Sequence, residues 1–362
     1  MNIAGLTTDD LCAWAQARGA TPAAARTLAR FLVARFAGKK PTSTPARALL
    51  DAASAEISSA LPEAEAVPAA DETVRFAVKL ADGAVVETVL IRQPARWTIC
   101  VSSQVGCSRG CVFCETGRLG LTRNLEPHEI VAQYVIAQRH LIALPYLQLP
   151  IDPQSPLPPL RGRVRVGGPA NVVFMGMGEP LDNLDAVLQA INVLSDPLGF
   201  AVPIRRITIS TVGIVPQMDE LYRRSRANVA VSLHALEPAT RLKLLPIARK
   251  WSIDELRAAI ARSPRTILLQ WTLIEGVNDR EADADALLAF ARALDVRVNL
   301  IPLNPGPAEK LRAPTLAQVR AFQRRLADGG LRTLVRLPHG QAVGGACGQL
   351  AGRRRVPFTD RD

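Results

Sequence analysis

The sequence predicts an α/β fold, because short apolar runs of strand length alternate with amphipathic patterns of helical length. Six such runs cover residues 98–101, 172–175, 207–211, 229–233, 266–273 and 296–301. The helical patterns between them include residues 127–143, 184–194, 253–262 and 282–294. Repeated strand–helix units are typical of a parallel sheet, in which each helix connects one strand to the next.

A small helical domain is predicted before this core, over residues 1–62. Residues 7–10, Thr-Thr-Asp-Asp, can cap a first helix, and Thr21-Pro22 can start a second. The second helix and the segment after it are basic, with Arg26, Arg30, Arg35, Lys39 and Lys40. A solvated face is the default interpretation of such charges, and contact with a polyanion is the functional one.

A β-hairpin extension is predicted next, over residues 73–95. Residues 73–92 alternate and are rich in Val, Ile and Thr, and Asp82-Gly83 separates two runs. Glu87 lies inside the second run, where an exposed strand face is the simplest account of a carboxylate.

A proline-rich loop insertion is predicted at residues 144–170, because proline removes a backbone donor and disrupts a long helix. Three arginines follow the prolines, Arg161, Arg163 and Arg165. This basic loop can contact nucleic acid or serve only as a solvated linker.

Composition narrows the class of protein. The 362 residues carry a formal charge of +11 and a pI near 10.0, which suits a polyanionic partner such as RNA. Ordinary solubility explains the same charge equally well. The first residues lack a basic segment followed by an apolar run, and no apolar stretch is long enough to span a membrane. We therefore expect a cytoplasmic protein with reduced, reactive cysteines.

Three of the six cysteines, Cys107, Cys111 and Cys114, have CxxxCxxC spacing. A [4Fe–4S] cluster normally takes one thiolate per iron, so three cysteines leave one iron open. In this spacing the open iron usually binds S-adenosylmethionine (SAM), which is then cleaved reductively to a radical. A zinc site is the alternative, but the nearest further ligands are Cys100 and His128.

Polar and glycine motifs follow the predicted strands at their carboxyl ends. Gly176-Met-Gly-Glu179 follows the second strand, Ser210 ends the third, and Ser232-Leu233-His234 ends the fourth. Asn304 follows the sixth. In barrels of parallel strands the chemistry lies at this rim. Each motif alone has a structural explanation: the glycines suit a turn, and His234 suits a buried imidazole.

Two further cysteines accompany these motifs: Cys100 lies seven residues before the triad, and Cys347 opens a distant Cys-Gly-Gln-Leu. Together they resemble the RlmN/Cfr family of radical SAM RNA methyltransferases over about residues 70–355. The resemblance implies an open (βα)6 partial barrel over residues 96–355, with a [4Fe–4S] cluster and SAM as cofactors. It also implies methylation of an adenine ring carbon, C2 or C8, in large-subunit ribosomal RNA and in transfer RNA. An RNA-binding role for residues 1–62, a reductant such as flavodoxin and a monomeric state are expected.

The resemblance also assigns roles to single residues. Cys347 corresponds to the cysteine that carries the methyl group, Cys100 to the resolving thiol, and Glu87, thirteen residues before Cys100, to the proton acceptor. The residues that correspond to SAM contacts are Gly178, Glu179, Ser210, Ser232, Leu233, His234 and Asn304. Arg96 is the cation near Cys100 in sequence that we expect to assist its ionisation.

The chain departs from the family just before Cys347. Typical members have a charged Arg-Gly-x-Asp-Ile stretch, whereas residues 339–346 read His-Gly-Gln-Ala-Val-Gly-Gly-Ala. The missing carboxylate leaves the RNA target and the ring carbon open. Two other classes remain: a radical SAM enzyme acting on a non-RNA substrate, and a non-enzymatic iron–sulfur or zinc RNA-binding protein.

Overall fold

The structure, a computed structural model, describes residues 1–93, 96–143, 170–306 and 310–351. Within them, twelve strands occur in chain order: β1 (Glu63–Pro68), β2 (Val74–Lys79), β3 (Val85–Gln93), β4 (Arg96–Val101), β5 (Gln104–Cys107), β6 (Gly120–Asn124), β7 (Asn171–Phe174), β8 (Ile207–Thr211), β9 (Asn228–Ser232), β10 (Ile267–Leu273), β11 (Val296–Pro302) and β12 (Thr333–Val335). Ten of them form one sheet in the order β1-β2-β3-β4-β7-β8-β9-β10-β11-β12, and β5 pairs with β6.

The second half of the large sheet is parallel, as the alternating pattern predicts. Strands β4 and β7 to β12 pair in parallel, each with its neighbour along the sheet. All six predicted runs fall on these strands, and the short β12 adds a seventh. The sheet ends at β1 and β12 without closing, so the architecture is the open, partial barrel that was expected.

Helices connect the parallel strands and cover the sheet. In the described part of the chain the helices are α1 (Thr8–Gln16), α2 (Pro22–Phe36), α3 (Arg47–Glu56), α4 (Glu115–Arg118), α5 (Pro127–Ala143), α6 (Leu184–Ser195), α7 (Val215–Arg224), α8 (Pro238–Leu244), α9 (Ile253–Ala261), α10 (Glu281–Ala291) and α11 (Leu316–Asp328). Helix α5 has the bounds that its pattern predicts, and it buries Ile130, Val131 and Tyr134 against the sheet and α6. This covering leaves the carboxyl ends of the strands free to form a site.

The hairpin extension is continuous with the core sheet. Strands β2 and β3 form the predicted hairpin around Asp82-Gly83, and β3 pairs antiparallel with β4. Strand β1 was not predicted, because its sequence Glu-Ala-Glu-Ala-Val-Pro has low strand propensity. It is an exposed edge strand that pairing with β2 stabilises.

The N-terminal helices pack on the core. Thr7 and Asp10 form a capping box at α1, and Thr21 caps α2, as predicted. The backbone N–H of Thr8 donates to Asp196 beyond the end of α6. Residues Arg26, Arg30 and Arg35 of α2 are exposed, so their charges face solvent.

No helix in the described ranges is long and apolar enough to cross a membrane. Residues 144–169, which hold almost all of the predicted proline-rich insertion and its three arginines, lie outside the described residues.

Candidate active site

The three-cysteine motif lies at the carboxyl end of β4, the first parallel strand. Cys107 ends β5, and Cys111 and Cys114 follow in a loop that leads into α4. Gly106 has a φ of +78°, and a Cβ there would lie 1.9 Å from the carbonyl oxygen of Gly120. The tight β5–β6 pairing therefore requires glycine immediately before the first cysteine.

The triad cysteines line one cavity, and their chemistry fits a bound cluster. Burial raises the pKa of Cys107 to about 12 and also raises the pKa of Cys111 and Cys114, with the neighbouring thiols adding to each shift. Thiolates form in such a place when a bound cation compensates their charge. Among the described residues no three His, Cys, Asp or Glu side chains are close enough to share one metal ion. A [4Fe–4S] cluster takes one thiolate per iron, so the three cysteines would hold three of its four irons.

The glycines of Gly176-Met-Gly-Glu179 allow close packing of the loop after β7. A Cβ on Gly176 would lie 2.6 Å from the Ser102 hydroxyl. Gly178 has a φ of +100°, and a Cβ there would lie 2.6 Å from the Cβ of Gln104. The visible reason for both glycines is therefore contact with Ser102 and Gln104, which lie between the end of β4 and Cys107, the first cysteine of the motif.

Glu179 joins the loop after β7 to the end of β8. Its carboxylate accepts hydrogen bonds from the backbone N–H groups of Val212, at 2.9 Å, and Leu181, at 3.0 Å. Burial raises the pKa of Glu179 to about 7, and these hydrogen bonds oppose the rise. Glu179 lines the same cavity as the triad, so a polar ligand there meets a carboxyl group whose position is already determined.

Ser210 and Ser232 meet at a residue that the sequence interpretation missed, Gln270. The two hydroxyls donate to Gln270 Oε1, at 3.1 Å from Ser210 and 3.4 Å from Ser232. Gln270 lies on β10 and lines the cavity. A polar side chain within the apolar run Ile-Leu-Leu-Gln-Trp was the available signal.

His234 lines the cavity as a neutral imidazole. Burial, and secondarily the charge of Arg241, lowers the pKa of His234 to about 3. Its Nδ1 accepts a hydrogen bond of 2.9 Å from the backbone N–H of Thr272, so the proton of the neutral ring is on Nε2. The φ of His234 is +57°, and Asn278 donates to its carbonyl oxygen at 2.6 Å. The ring is therefore oriented to present a single donor.

Leu233 differs from the other predicted contacts, since it does not line the cavity. Its side chain is buried in the core, and its backbone N–H donates to the carbonyl of Gln270 at 3.0 Å. Its own carbonyl accepts from the buried Arg241, whose guanidinium also donates to the Val212 carbonyl. Arg241, another residue that sequence reasoning missed, thus connects two strand ends behind the site.

Asn304 connects the rim of the sheet to the segment that carries Cys347. Its Nδ2 donates to the carbonyl oxygen of Cys347 at 3.0 Å, and its Oδ1 accepts from Gln341 at 2.8 Å. We name residues 340–351 the Cys347 loop. Both Asn304 and Cys347 line two cavities, one with the triad, Glu179 and His234 and one with Cys100. Cys347 therefore lies between them.

Cys100 lies in the second cavity, close enough to Cys347 for their charges to interact. Burial raises the pKa of Cys100 to about 12, the nearby Cys347 adds to the rise, and Arg336 opposes it. The expectation that Arg96 assists Cys100 is wrong: Arg96 is exposed and donates to Gln93. The relevant cation comes from the end of β12, far away in sequence.

Glu87 and Cys100 share one face of the sheet. Val89 pairs with Cys100 across β3 and β4, and Glu87 is two residues from Val89 on the same strand. Glu87 is buried rather than on an exposed strand face, and it forms an ion pair with the equally buried Arg75. Its Oε2 accepts a hydrogen bond of 2.7 Å from the backbone N–H of Ala351, at the end of the Cys347 loop. The fold thus places Glu87 on the same sheet face as Cys100 and in contact with the end of the Cys347 loop, while its side chain lines neither cavity.

Comparisons with known proteins identify relatives over most of the chain. No protein-family model matches the chain. It is 47% identical over 297 residues to a probable RNA methyltransferase of Sorangium cellulosum, covering 81% of this chain and 69% of that protein. It is 42% identical over 284 residues to the dual-specificity RNA methyltransferase RlmN of Syntrophobacter fumaroxidans, covering 77% of this chain and 77% of that protein. It is 40% identical over 348 residues to the probable dual-specificity RNA methyltransferase RlmN of Chloroflexus aurantiacus, covering 92% of this chain and 88% of that protein.

A solved structure extends the likeness to the fold. A radical SAM methyltransferase from Sphaerobacter thermophilus superimposes with a TM-score of 0.82 at 35% identity, covering 98% of this chain and 100% of that chain. The relatives and this structure support radical SAM RNA methylation, with the [4Fe–4S] cluster and SAM that the class implies. The chain therefore belongs to the RlmN/Cfr family of radical SAM RNA methyltransferases.

Proposed function

We propose that this protein methylates a ring carbon, C2 or C8, of an adenine in large-subunit ribosomal RNA, with transfer RNA as a second substrate. The observation that carries the proposal is the position of Cys347 between two cavities, one with the cysteine triad and one with Cys100. A thiol in that position can receive a group from a cofactor on one side and deliver it to a base on the other. The relatives that are named dual-specificity RNA methyltransferases support this assignment.

The first cavity would hold the cofactors. Cys107, Cys111 and Cys114 would each bind one iron of the cluster, which leaves one iron open for SAM. Residues proposed to contact SAM are Gly178, Glu179, Ser210, Ser232, His234 and Asn304. Leu233, which is buried and does not line the cavity, would position its two neighbours instead. When bound, the cluster and SAM supply methyl groups and one-electron radical chemistry. For a polar ligand, the chain provides the Nε2–H donor of His234 and the carboxyl group of Glu179.

The second cavity would hold the adenine. Cys347 would carry the methyl group as a thioether. The radical chemistry supplied by the cofactors would remove one hydrogen atom from that methyl group, and the carbon left behind would bond to the ring carbon. The ring would then lose one electron to the cofactors and one proton to Glu87, so that a methylene group joins the ring carbon to the Cys347 sulfur. The Cys100 thiolate would then attack the Cys347 sulfur, which breaks the carbon–sulfur bond and forms a disulfide between the two cysteines. The electron pair of the broken bond goes to the methylene carbon, which takes up a proton to become methyl. Cellular thiols would reduce the disulfide for the next cycle.

Cys100 must lose a proton during this sequence. The attacking species is a thiolate, whereas burial keeps Cys100 in its thiol form at neutral pH. Arg336 lies close enough to lower the pKa of Cys100, so it favours the thiolate.

RNA would reach the second cavity through its basic side. Arg336 and His339 line that cavity together with the apolar Ile91 and Ile301, which suits a flat base joined to a phosphate.

We propose that residues 1–62 form an accessory RNA-binding domain, that residues 73–95 extend the sheet, and that residues 96–355 are the catalytic core. A protein such as flavodoxin would reduce the cluster, and the enzyme would act as a monomer.

The test is anaerobic turnover with defined RNA. Reconstituted protein, SAM and a low-potential reductant are incubated with large-subunit ribosomal RNA fragments or transfer RNA, and the nucleosides are analysed by mass spectrometry. We expect 2-methyladenosine or 8-methyladenosine with the native chain and neither with Cys111→Ala. Formation of 5′-deoxyadenosine with no methylated nucleoside from any RNA would favour the alternative, a radical SAM enzyme acting on a non-RNA substrate.

A further inference from the structure

The Cys347 loop is bonded at both ends to carboxylates of the antiparallel extension. At its start, Asp71 Oδ2 accepts a hydrogen bond of 2.9 Å from the backbone N–H of Gly340. At its end, Glu87 Oε2 accepts one of 2.7 Å from Ala351. Asp71 lies between β1 and β2, so two residues of one hairpin system hold a segment from the far end of the chain.

Asp71 is suited to this contact. Its other oxygen, Oδ1, accepts from the backbone N–H of Thr73 at 3.1 Å, which orients the carboxylate. His339 Nδ1 lies 3.6 Å from Oδ2, so the residue before Gly340 also faces Asp71. Burial raises the pKa of Asp71, and the hydrogen bonds from Gly340 and Thr73 outweigh this and bring the pKa below its usual value. Asp71 is therefore ionised at neutral pH.

A continuous series of hydrogen bonds leads from Asp71 to Cys347. Gly340, held by Asp71, accepts from Gly345 at 2.9 Å, which folds the loop back on itself. The next residue, Gln341, donates to Asn304 at 2.8 Å, and Asn304 donates to the Cys347 carbonyl at 3.0 Å.

The loop needs such external bonds because it is rich in glycine. Gly340, Gly344 and Gly348 all have positive φ, and glycine loses more conformational freedom on ordering than any other residue. Gly340 is also tightly packed, since a Cβ there would lie 2.7 Å from Cγ2 of Thr73. The hydrogen bond from Gly340 to Asp71 joins the start of this loop to the hairpin extension.

We propose that Asp71 is a positioning residue for Cys347: its carboxylate holds the start of the Cys347 loop so that the thiol stays between the two cavities. This inference rests on the proposed function only for the role of Cys347, since the hydrogen bonds exist independently of it.

The test compares Asp71→Asn with Asp82→Asn. The two aspartates are matched: Asp82 lies in the neighbouring turn, its Oδ1 accepts from Ala84 at 3.0 Å, and its Oδ2 accepts from Arg123, away from the loop. An asparagine has one acceptor oxygen where aspartate has two, so each variant loses one hydrogen bond. In anaerobic holoprotein, amide hydrogen exchange over residues 340–346 should be about tenfold faster in Asp71→Asn and unchanged in Asp82→Asn.

A second readout measures positioning itself. The fraction of Cys347 that carries a methyl group after one round with SAM, measured by peptide mass spectrometry, should fall in Asp71→Asn and stay at the native level in Asp82→Asn. Equal exchange in the two variants, or faster exchange with normal methylation, would overturn the proposal. If Asp71→Asn does not fold, Asp71→Ala removes both acceptor oxygens of the same side chain, and Asp82→Ala is its control, with the same two measurements.

The outcomes also separate this inference from the proposed function. A native protein whose Cys347 never carries a methyl group would refute the proposed function, and Asp71 would then have no methyl carrier to position. The exchange data would still show whether Asp71 holds the loop. Methylated Cys347 in the native protein, together with equal exchange in both aspartate variants, would leave the function intact and refute the inference.

Discussion

Replacement of Gly178 by alanine should lower the free energy of unfolding by about 2–5 kcal/mol. Two effects contribute. The φ of +100° disfavours any residue with a Cβ, which costs about 1–2 kcal/mol. The new Cβ would also lie 2.6 Å from the Cβ and 2.8 Å from the backbone nitrogen of Gln104, a contact that no side-chain rotation relieves. Such overpacking costs about 1–3 kcal/mol more.

Gly83→Ala is the matched control. Gly83 has a φ of +85°, but a Cβ there would meet nothing within 4 Å, so only the backbone term of about 1–2 kcal/mol applies. The assay is urea unfolding of the apoprotein, followed by tryptophan fluorescence, with the midpoints of the two variants compared. Because the apoprotein has no SAM, any loss is independent of cofactor binding.

The comparison distinguishes two explanations of the Gly-Met-Gly-Glu motif. If packing against Gln104 requires Gly178, its variant should be less stable than Gly83→Ala by about 1–3 kcal/mol. Equal stability of the two variants, together with weaker SAM binding by Gly178→Ala, would refute the packing argument. The glycine would then serve the approach of the cofactor.

Three further predictions concern the cysteines and the RNA. Cys111→Ala should lose the iron and the visible absorbance of the anaerobically prepared protein. The control Cys12→Ala, in helix α1, should keep about four irons per chain. A stoichiometric zinc content in the native protein would contradict the prediction of an iron–sulfur cluster. Cys100→Ala should accumulate RNA covalently joined to the protein, detectable on a denaturing gel, and normal turnover without the adduct would show that this thiol is structural. Replacing Arg26 and Arg30 by Glu should weaken RNA binding in filter-binding titrations. The dependence of the binding constant on salt concentration should also become less steep, since each phosphate contact releases about one counterion. An unchanged dependence on salt would exclude α2 from the RNA interface.

Much of the candidate site could be predicted because it consists of local motifs. The three-cysteine spacing, Glu179, Ser210 and His234 are read from short segments that follow strands, and the parallel sheet brings strand ends to one rim. Gln270 was missed because one polar residue in an apolar strand carries no motif. Its importance appears only when two serines from neighbouring strands donate to it.

The sequence by itself determined the alternation of strands and helices, the hairpin at Asp82-Gly83 and the spacing of the cluster cysteines. These features depend on periodicity, turn chemistry and spacing, which act over a few residues. The tertiary structure decided which distant groups meet. Arg336 rather than Arg96 lies beside Cys100, and Asp71 holds Gly340 across 269 positions of the chain. Such contacts depend on how the sheet is ordered and how the C-terminal segment returns across it, so no local pattern predicts them.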